Sequence, residues 1–213
     1  MNISPETLLV YAVTDRTWLN GRTVAQQVEE AVIGGATFIQ LREKHLPYEE
    51  FLAEAIQVKK ITDCYSTPFV INDQVDIAIA CDADGVHIGQ EDLPVSSVRK
   101  LIGPYKILGV SAQTVEQALE AEKAGADYLG VGAMFPTSTK QDAENVNLEI
   151  LKSICEAVSI PVVAIGGITE QNVSQLSGSG IAGVAVISAL FAQKDIKEAT
   201  RRLVKLSKQM VEA

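Results

Sequence analysis

The chain has 213 residues, 47% of them hydrophobic and 21% charged, with a formal net charge of −9 at pH 7. That length and apolar fraction exclude a disordered or fibrous chain and suit one α/β unit with a large core. The anionic field disfavours nucleic acid and anionic membrane surfaces as partners, so an anionic substrate has to be captured by local cations.

Cys64, Cys81 and Cys155 are odd in number and widely spaced, with no CxxC pair and no metal-ligand spacing. They read as reduced, buried thiols of a cytosolic protein. The N-terminal MNISPETLLVYAV lacks a basic region, and no apolar run is long enough to span a bilayer without interruption. A cytoplasmic protein without a membrane partner is expected.

Short Val- and Ile-rich runs alternate with longer segments of helical period. The predicted strands are Leu8–Val13, Thr37–Leu41, Phe69–Asn72, Gly85–Ile88, Lys106–Val110, Tyr128–Val131, Val162–Ile165 and Gly183–Ile187. Between them, Val24–Ile33, Tyr48–Lys60, Val115–Ala124 and Leu148–Ala157 place apolar residues every three or four positions, as amphipathic helices do. Such alternation calls for a parallel sheet. The even strands are entered through similar phrases, GGATFIQLRE, CDADGVHIGQ, AGADYLGVGA and SGIAGVAVIS, whereas Pro68, Pro104 and Pro161 precede odd ones. A barrel whose interior layers are filled by alternate strands produces that pattern, so a compact (β/α)8 TIM barrel is expected in preference to an open doubly wound sheet. No linker, low-complexity run or charge block marks a second domain within residues 1–213.

In such a barrel function belongs at the C-terminal strand ends. After the first strand, Asp15 and Arg16 suit either a mutual salt bridge or a ligand. Along FIQLREK the period of two places Phe38, Gln40, Arg42 and Lys44 on one face. Two cations converging in the barrel mouth are costly to desolvate without a counter-anion, and the Arg fork with the Lys point charge suits a diphosphate. The third strand ends in Asn72 and Asp73, and Asp73 is equally suited to capping the next helix. The fourth leads through inward His87 to Asp92, and two carboxylates beside a diphosphate site are what Mg²⁺ requires. Ser111 continues the inward face of the fifth strand or caps the helix after it. The sixth strand runs out through Gly130 into FPTSTK, where Thr137, Ser138, Thr139 and Lys140 supply hydroxyls and an ammonium. Gly166 and Gly167, with Ile187 and Ser188 before a short extra helix, form the backbone phosphate site that barrels commonly build after their last two strands. A cation-rich, metal-assisted phosphate site and a neutral one thus face each other across one cavity.

The phrases YAVTDR, FIQLREK, INDQVDIAIACDADGVHIGQEDLP, ILGVSAQT, GADYLGVGAMFPTSTK, VVAIGGIT and GVAVISALF run in order from the first strand to the eighth. Together they resemble the thiamine phosphate synthase family. The resemblance implies a transferase that joins a hydroxymethylpyrimidine diphosphate to a thiazole phosphate, or its carboxylated precursor, releasing diphosphate. It implies that Gln40, Leu41, Arg42, Glu43, Lys44, Asn72, Ser111 and Lys140 bind the pyrimidine diphosphate, that Thr137, Ser138, Thr139, Gly167, Ile187 and Ser188 bind the thiazole phosphate, and that Asp73 and Asp92 hold Mg²⁺. Arg42, Lys44 and Lys140 are then the catalytic cations. The related tautomerase branch lacks much of this set and uses a His after the fifth strand, where this chain reads SAQT.

Overall fold

The computed structural model describes residues 3–137 and 146–213. Among them are eight strands: β1 (Val10–Val13), β2 (Phe38–Leu41), β3 (Phe69–Asn72), β4 (Gly85–Ile88), β5 (Ile107–Ala112), β6 (Tyr128–Val131), β7 (Val162–Ile165) and β8 (Gly183–Val186). Each pairs in parallel with its sequence neighbours and β8 pairs with β1, closing the barrel. Around it lie α1 (Val24–Gly34), α2 (Tyr48–Cys64), α3 (Val75–Ala80), α4 (Val95–Ile102), α5 (Val115–Lys123), α6 (Leu148–Ala157), α7 (Ser188–Phe191) and α8 (Ile196–Val211). This is the expected (β/α)8 architecture.

Alternation along the strands separates two apolar layers. Ile39, Leu41, Val86, Ile88, Leu129 and Val131 face the helices, whereas Tyr11, Phe38, Val70, Tyr128, Val163 and Ala185 fill the interior. Glycines make room for the large interior rings. A Cβ on Gly109 would sit 2.1 Å from Tyr128 Cζ and 2.5 Å from His87 Nδ1, so β5 presents no side chain where β4 and β6 project theirs.

Boundaries move where a local contact outweighs the apolar pattern. The predicted first strand starts two residues early, because Pro5–Leu8 forms a 3₁₀ turn whose Leu8 enters the interior layer. β5 begins and ends later than Lys106–Val110, and the Lys106 side chain before it donates through Nζ to Asp82 Oδ1 and Ala83 O at 2.7 and 2.6 Å. β8 stops at Val186, since Ile187 (φ −116°, ψ −81°) turns the chain into α7. α2 runs one turn beyond Lys60 to Cys64. Between β7 and β8 the described chain forms only the 3₁₀ turn Val173–Leu176, where Gly178 and Gly180 take positive φ in a short, Ser- and Gly-rich connection.

The expectation of buried thiols holds for Cys81 alone. Cys155 is half-buried, and Cys64 is exposed because it ends α2. Burial pushes the Cys155 thiol up to about 11. No described helix is long and apolar enough to cross a membrane.

Candidate active site

The mouth of the barrel at β2–β5 carries the charged residues. Arg42 follows β2 directly; its backbone N–H donates to Thr14 Oγ1 at 3.0 Å, and its guanidinium reaches Asp15 Oδ2 only at 3.5 Å. Asp15 therefore does not pair with Arg16, and its other oxygen caps the 3₁₀ turn Arg16–Trp18 by accepting from Thr17 N–H at 2.8 Å. Arg42 is thus anchored through its backbone with its charge only loosely engaged.

Lys44 Nζ donates to Asp73 Oδ2 at 2.6 Å. Asp73 does not cap α3: the N-cap is Gln74, and Asp73 precedes it at φ 63°, a left-handed conformation uncommon outside glycine. That turn sends the carboxylate toward β4, where Asp92 Oδ2 accepts from Gly89 N–H at 2.7 Å. Partial burial first, and then the adjacent Asp73 carboxyl, push the Asp92 carboxyl up from its ordinary value against the Gly89 N–H and Lys44. Two neighbouring carboxylates carry more negative charge than the single Lys44 ammonium balances, and their hard oxygens fit Mg²⁺. Among the described residues no three His, Cys, Asp or Glu side chains gather as a ligand set. A magnesium ion that shares its shell with water and substrate phosphate needs fewer.

Asn72 ends β3 beside His87 in register and is buried. Ser111 Oγ lies 3.0 Å from His87 Nε2, and Thr114, not Ser111, caps α5. Gln40 projects inward to Tyr11, whereas Leu41 packs in the outer layer against the helices.

Glu43 lies in a different setting. It is buried and accepts from Arg16 Nε at 2.9 Å, while Arg16 also donates to Glu54. Oε1 of Glu43 and Oε1 of Glu54 are buried without a partner among the described residues. Burial and then the neighbouring Glu43 push the Glu54 carboxyl up to about 7, with Arg16 opposing. Because the folded chain binds this proton more tightly than the unfolded chain, its stabilisation is complete below the unfolded Glu value. It is lost as pH rises through about 7. Glu54→Gln is expected to flatten that dependence and raise the melting temperature at pH 8 by about 2–4 °C, on the order of 1 kcal/mol after solvent screening. Thermal melts of both proteins at pH 5.5 and 8 check this; parallel slopes would remove Glu54 as the titrating group.

Across the mouth, the loops after β6 and β7 are joined by Met134 N–H to Ile165 O and Phe135 N–H to Gly166 O, each 3.0 Å. Gly167 has φ 65°, and a Cβ there would lie 2.6 Å from the carbonyl oxygens of Phe135 and Pro136. Only glycine lets these loops close together, and Asn172 Nδ2 fixes the turn by donating to Gly167 O at 2.9 Å. Thr137 is half-buried, Ile187 is the N-cap of α7 and Ser188 is its exposed first residue. Ser138, Thr139 and Lys140 lie outside the described residues.

Tyr11 and Tyr128 escaped the sequence reading. Their signal is an inward-phased aromatic beside inward glycines, as in Tyr128 and Gly130 of YLGVG.

The family profile described as "Thiamine monophosphate synthase" matches residues 10–190. The thiamine-phosphate synthase of Clostridium tetani is 55% identical over 194 residues, which span 91% of this chain and 93% of that protein. That of Ruminiclostridium cellulolyticum is 54% identical over 197 residues, 92% of this chain and 94% of its own length. Among solved structures, a thiamine phosphate pyrophosphorylase from Pyrococcus furiosus superposes with a TM-score of 0.90 at 42% identity, covering 97% of this chain and 98% of that one.

Proposed function

The chain belongs to the thiamine monophosphate synthase family, and from that premise we propose a Mg²⁺-dependent synthase mechanism carried by the β2–β5 mouth. The substrates are a 4-amino-2-methylpyrimidine bearing a diphosphooxymethyl group and a 4-methylthiazole bearing a phosphoethyl group, or the carboxylated thiazole. The products are thiamine phosphate and diphosphate. The observation that carries the assignment of roles is the run Lys44, Asp73, Asp92: an ammonium and two neighbouring carboxylates at consecutive strand ends, beside the half-buried Arg42.

Asp73 and Asp92 would hold the metal, which when bound supplies a positive charge against the diphosphate oxygens. Arg42 and Lys44 bind the same group and take up negative charge as the methylene C–O bond breaks. Lys140, in the sequence that follows β6, is assigned to the same diphosphate. The pyrimidinylmethyl cation left behind is eased by the electron-rich aminopyrimidine and is captured by the thiazole nitrogen. Thr137, Ser138, Thr139, Gly167, Ile187 and Ser188 hold the thiazole partner in place, so that its contribution is proximity. No side-chain nucleophile takes part. Asn72, Ser111, Gln40 and the backbone of Leu41 and Glu43 orient the pyrimidine. The acidic chain and its phosphorylated small-molecule substrates support the reading of a cytoplasmic enzyme.

Diphosphate release from the pyrimidine diphosphate with Mg²⁺, measured with and without thiazole phosphate while thiamine phosphate is followed in the same samples, tests this reading. Thiamine phosphate formed only when both substrates are present is the expected result. Tight binding of either ligand with no product would move the protein to a tautomerase or regulatory role.

A further inference from the structure

Gln40 and Ser111 stand on different strands, yet an unbroken run of hydrogen bonds joins them through the barrel interior. Gln40 Nε2 donates to Tyr11 Oη at 2.5 Å, and Tyr11 Oη lies 2.7 Å from Tyr128 Oη. Tyr128 Oη lies 2.9 Å from His87 Nδ1, and His87 Nε2 lies 3.0 Å from Ser111 Oγ. The rings are held rigidly: Tyr11, Phe38 and Tyr128 meet edge to face with centroids 4.6 to 5.9 Å apart. None of the three residues between Gln40 and Ser111 is needed to explain the charged mouth.

The run has a direction. Burial pushes both phenols far up, so each keeps its single proton at neutral pH. With Gln40 Nε2 donating to Tyr11, the arrangement that gives every proton of the run an acceptor within it has Tyr11 donating to Tyr128, and Tyr128 to His87 Nδ1. His87 is then the Nε2–H tautomer and donates to Ser111, which keeps its own hydroxyl proton for a ligand. Gln40 keeps its carbonyl oxygen for the same purpose. Turning the Gln40 amide over reverses every bond and exchanges the two ends: a donor at Gln40 and an acceptor at Ser111. Mixed arrangements strand a buried proton without an acceptor, which costs about 1–3 kcal/mol, and polarisation along the run reinforces whichever sense is present.

We infer that Tyr11, Tyr128 and His87 are positioning residues that fix the hydrogen-bonding sense of Gln40 and Ser111, so that the site accepts a ring bearing an exocyclic amine and rejects its oxo counterpart. This rests on the synthase reading above, which supplies the aminopyrimidine. An amine donates to the Gln40 carbonyl; an oxo group in its place meets that carbonyl oxygen to oxygen and can be accepted only by reversing the run. A site built to bond a polar group discriminates against the ligand that leaves it unpaired.

The tautomer of His87, one of two histidines in the chain, reports the sense directly. Nitrogen-15 spectra of the ligand-free wild type are expected to show the Nε2–H form, and the Nδ1–H form would overturn the inference. Tyr128→Phe keeps the ring but removes the proton that Nδ1 accepts. It is expected to lose the tautomer preference, to raise KM for the pyrimidine diphosphate about tenfold with KM for thiazole phosphate within about twofold, and to reduce the preference for the 4-amino over the 4-oxo substrate. Unchanged tautomer, KM and preference in an active Tyr128→Phe enzyme would overturn the positioning role. Should Tyr128→Phe fail to fold, Tyr11→Phe is measured by the same readouts, and the wild-type tautomer decides the sense without any variant. An inactive wild type would instead overturn the synthase reading and take this inference's substrate with it, whereas an active one with the wrong tautomer overturns this inference alone.

Discussion

Arg42→Ala is expected to lower kcat by about 10²-fold or more while leaving the melting temperature within a few degrees of wild type. The fold tolerates the change because what fixes Arg42 is its backbone, through Thr14 Oγ1, and its guanidinium makes only a 3.5 Å contact with Asp15. The chemistry does not tolerate it. In a chain of net charge −9, no long-range field favours a diphosphate, so each local cation carries a large share of its stabilisation. Charge on the bridging oxygen grows as the C–O bond lengthens, and an interaction that strengthens along that path appears in kcat and not in KM alone. Arg42→Lys keeps the charge and loses the planar fork, so an intermediate loss is expected. Steady-state kinetics with both substrates saturating decide the matter: a fall in kcat below about threefold would remove Arg42 from the departing charge and leave it a binding residue.

Strand identity was legible because the strands are short apolar runs, most of them containing Val or Ile, and the barrel was expected from the alternation of similar entry phrases on the even strands with prolines before the third, fifth and seventh. What the pattern missed has a common cause: it lies in contacts or backbone states that no local window contains. Asp73 looks like a helix cap because its neighbours read as a helix start. Only the left-handed φ of 63° reveals that the residue instead turns toward Asp92. Glu43 stands inside the cationic block, but the next residue on its own side of the strand direction is Leu41, and its buried carboxylate meets exposed Arg16 and half-buried Glu54 on that outer flank. The tyrosine pair joins residues 117 positions apart. Tyr11 and Tyr128 each read as ordinary core aromatics until the closed barrel brings their hydroxyls to 2.7 Å. The candidate site was legible to the extent that charge patterning at strand ends survives in sequence, as it does for Arg42, Lys44 and Asp92, which the closed barrel brings to the mouth at β2–β4.

The carboxylate pair gives the second large effect. Asp92→Asn is expected to raise the Mg²⁺ concentration for half-maximal rate on the order of 10-fold or more, since loss of a mere supporting partner of a metal ligand already costs that much. The substitution is conservative for the fold, because the Asn side-chain oxygen can still accept from Gly89 N–H and hold the turn before α4. It also relieves the burial penalty, and with it the crowding with Asp73, that raise the Asp92 carboxyl against Gly89 N–H and Lys44, so apparent stability without metal should not fall. A purely structural Asp92 would behave in the opposite way, with a lowered melting temperature and an unchanged Mg²⁺ titration, and that result would remove it from the metal site. Asp73→Asn distinguishes the two carboxylates further, because it removes the negative charge that pairs with Lys44 at 2.6 Å. If both oxygens serve one ion, the double variant should cost less in Mg²⁺ affinity than the two single losses added, since the first removal already dismantles the shared site. Strict additivity would mean that the two carboxylates act at separate places on the diphosphate.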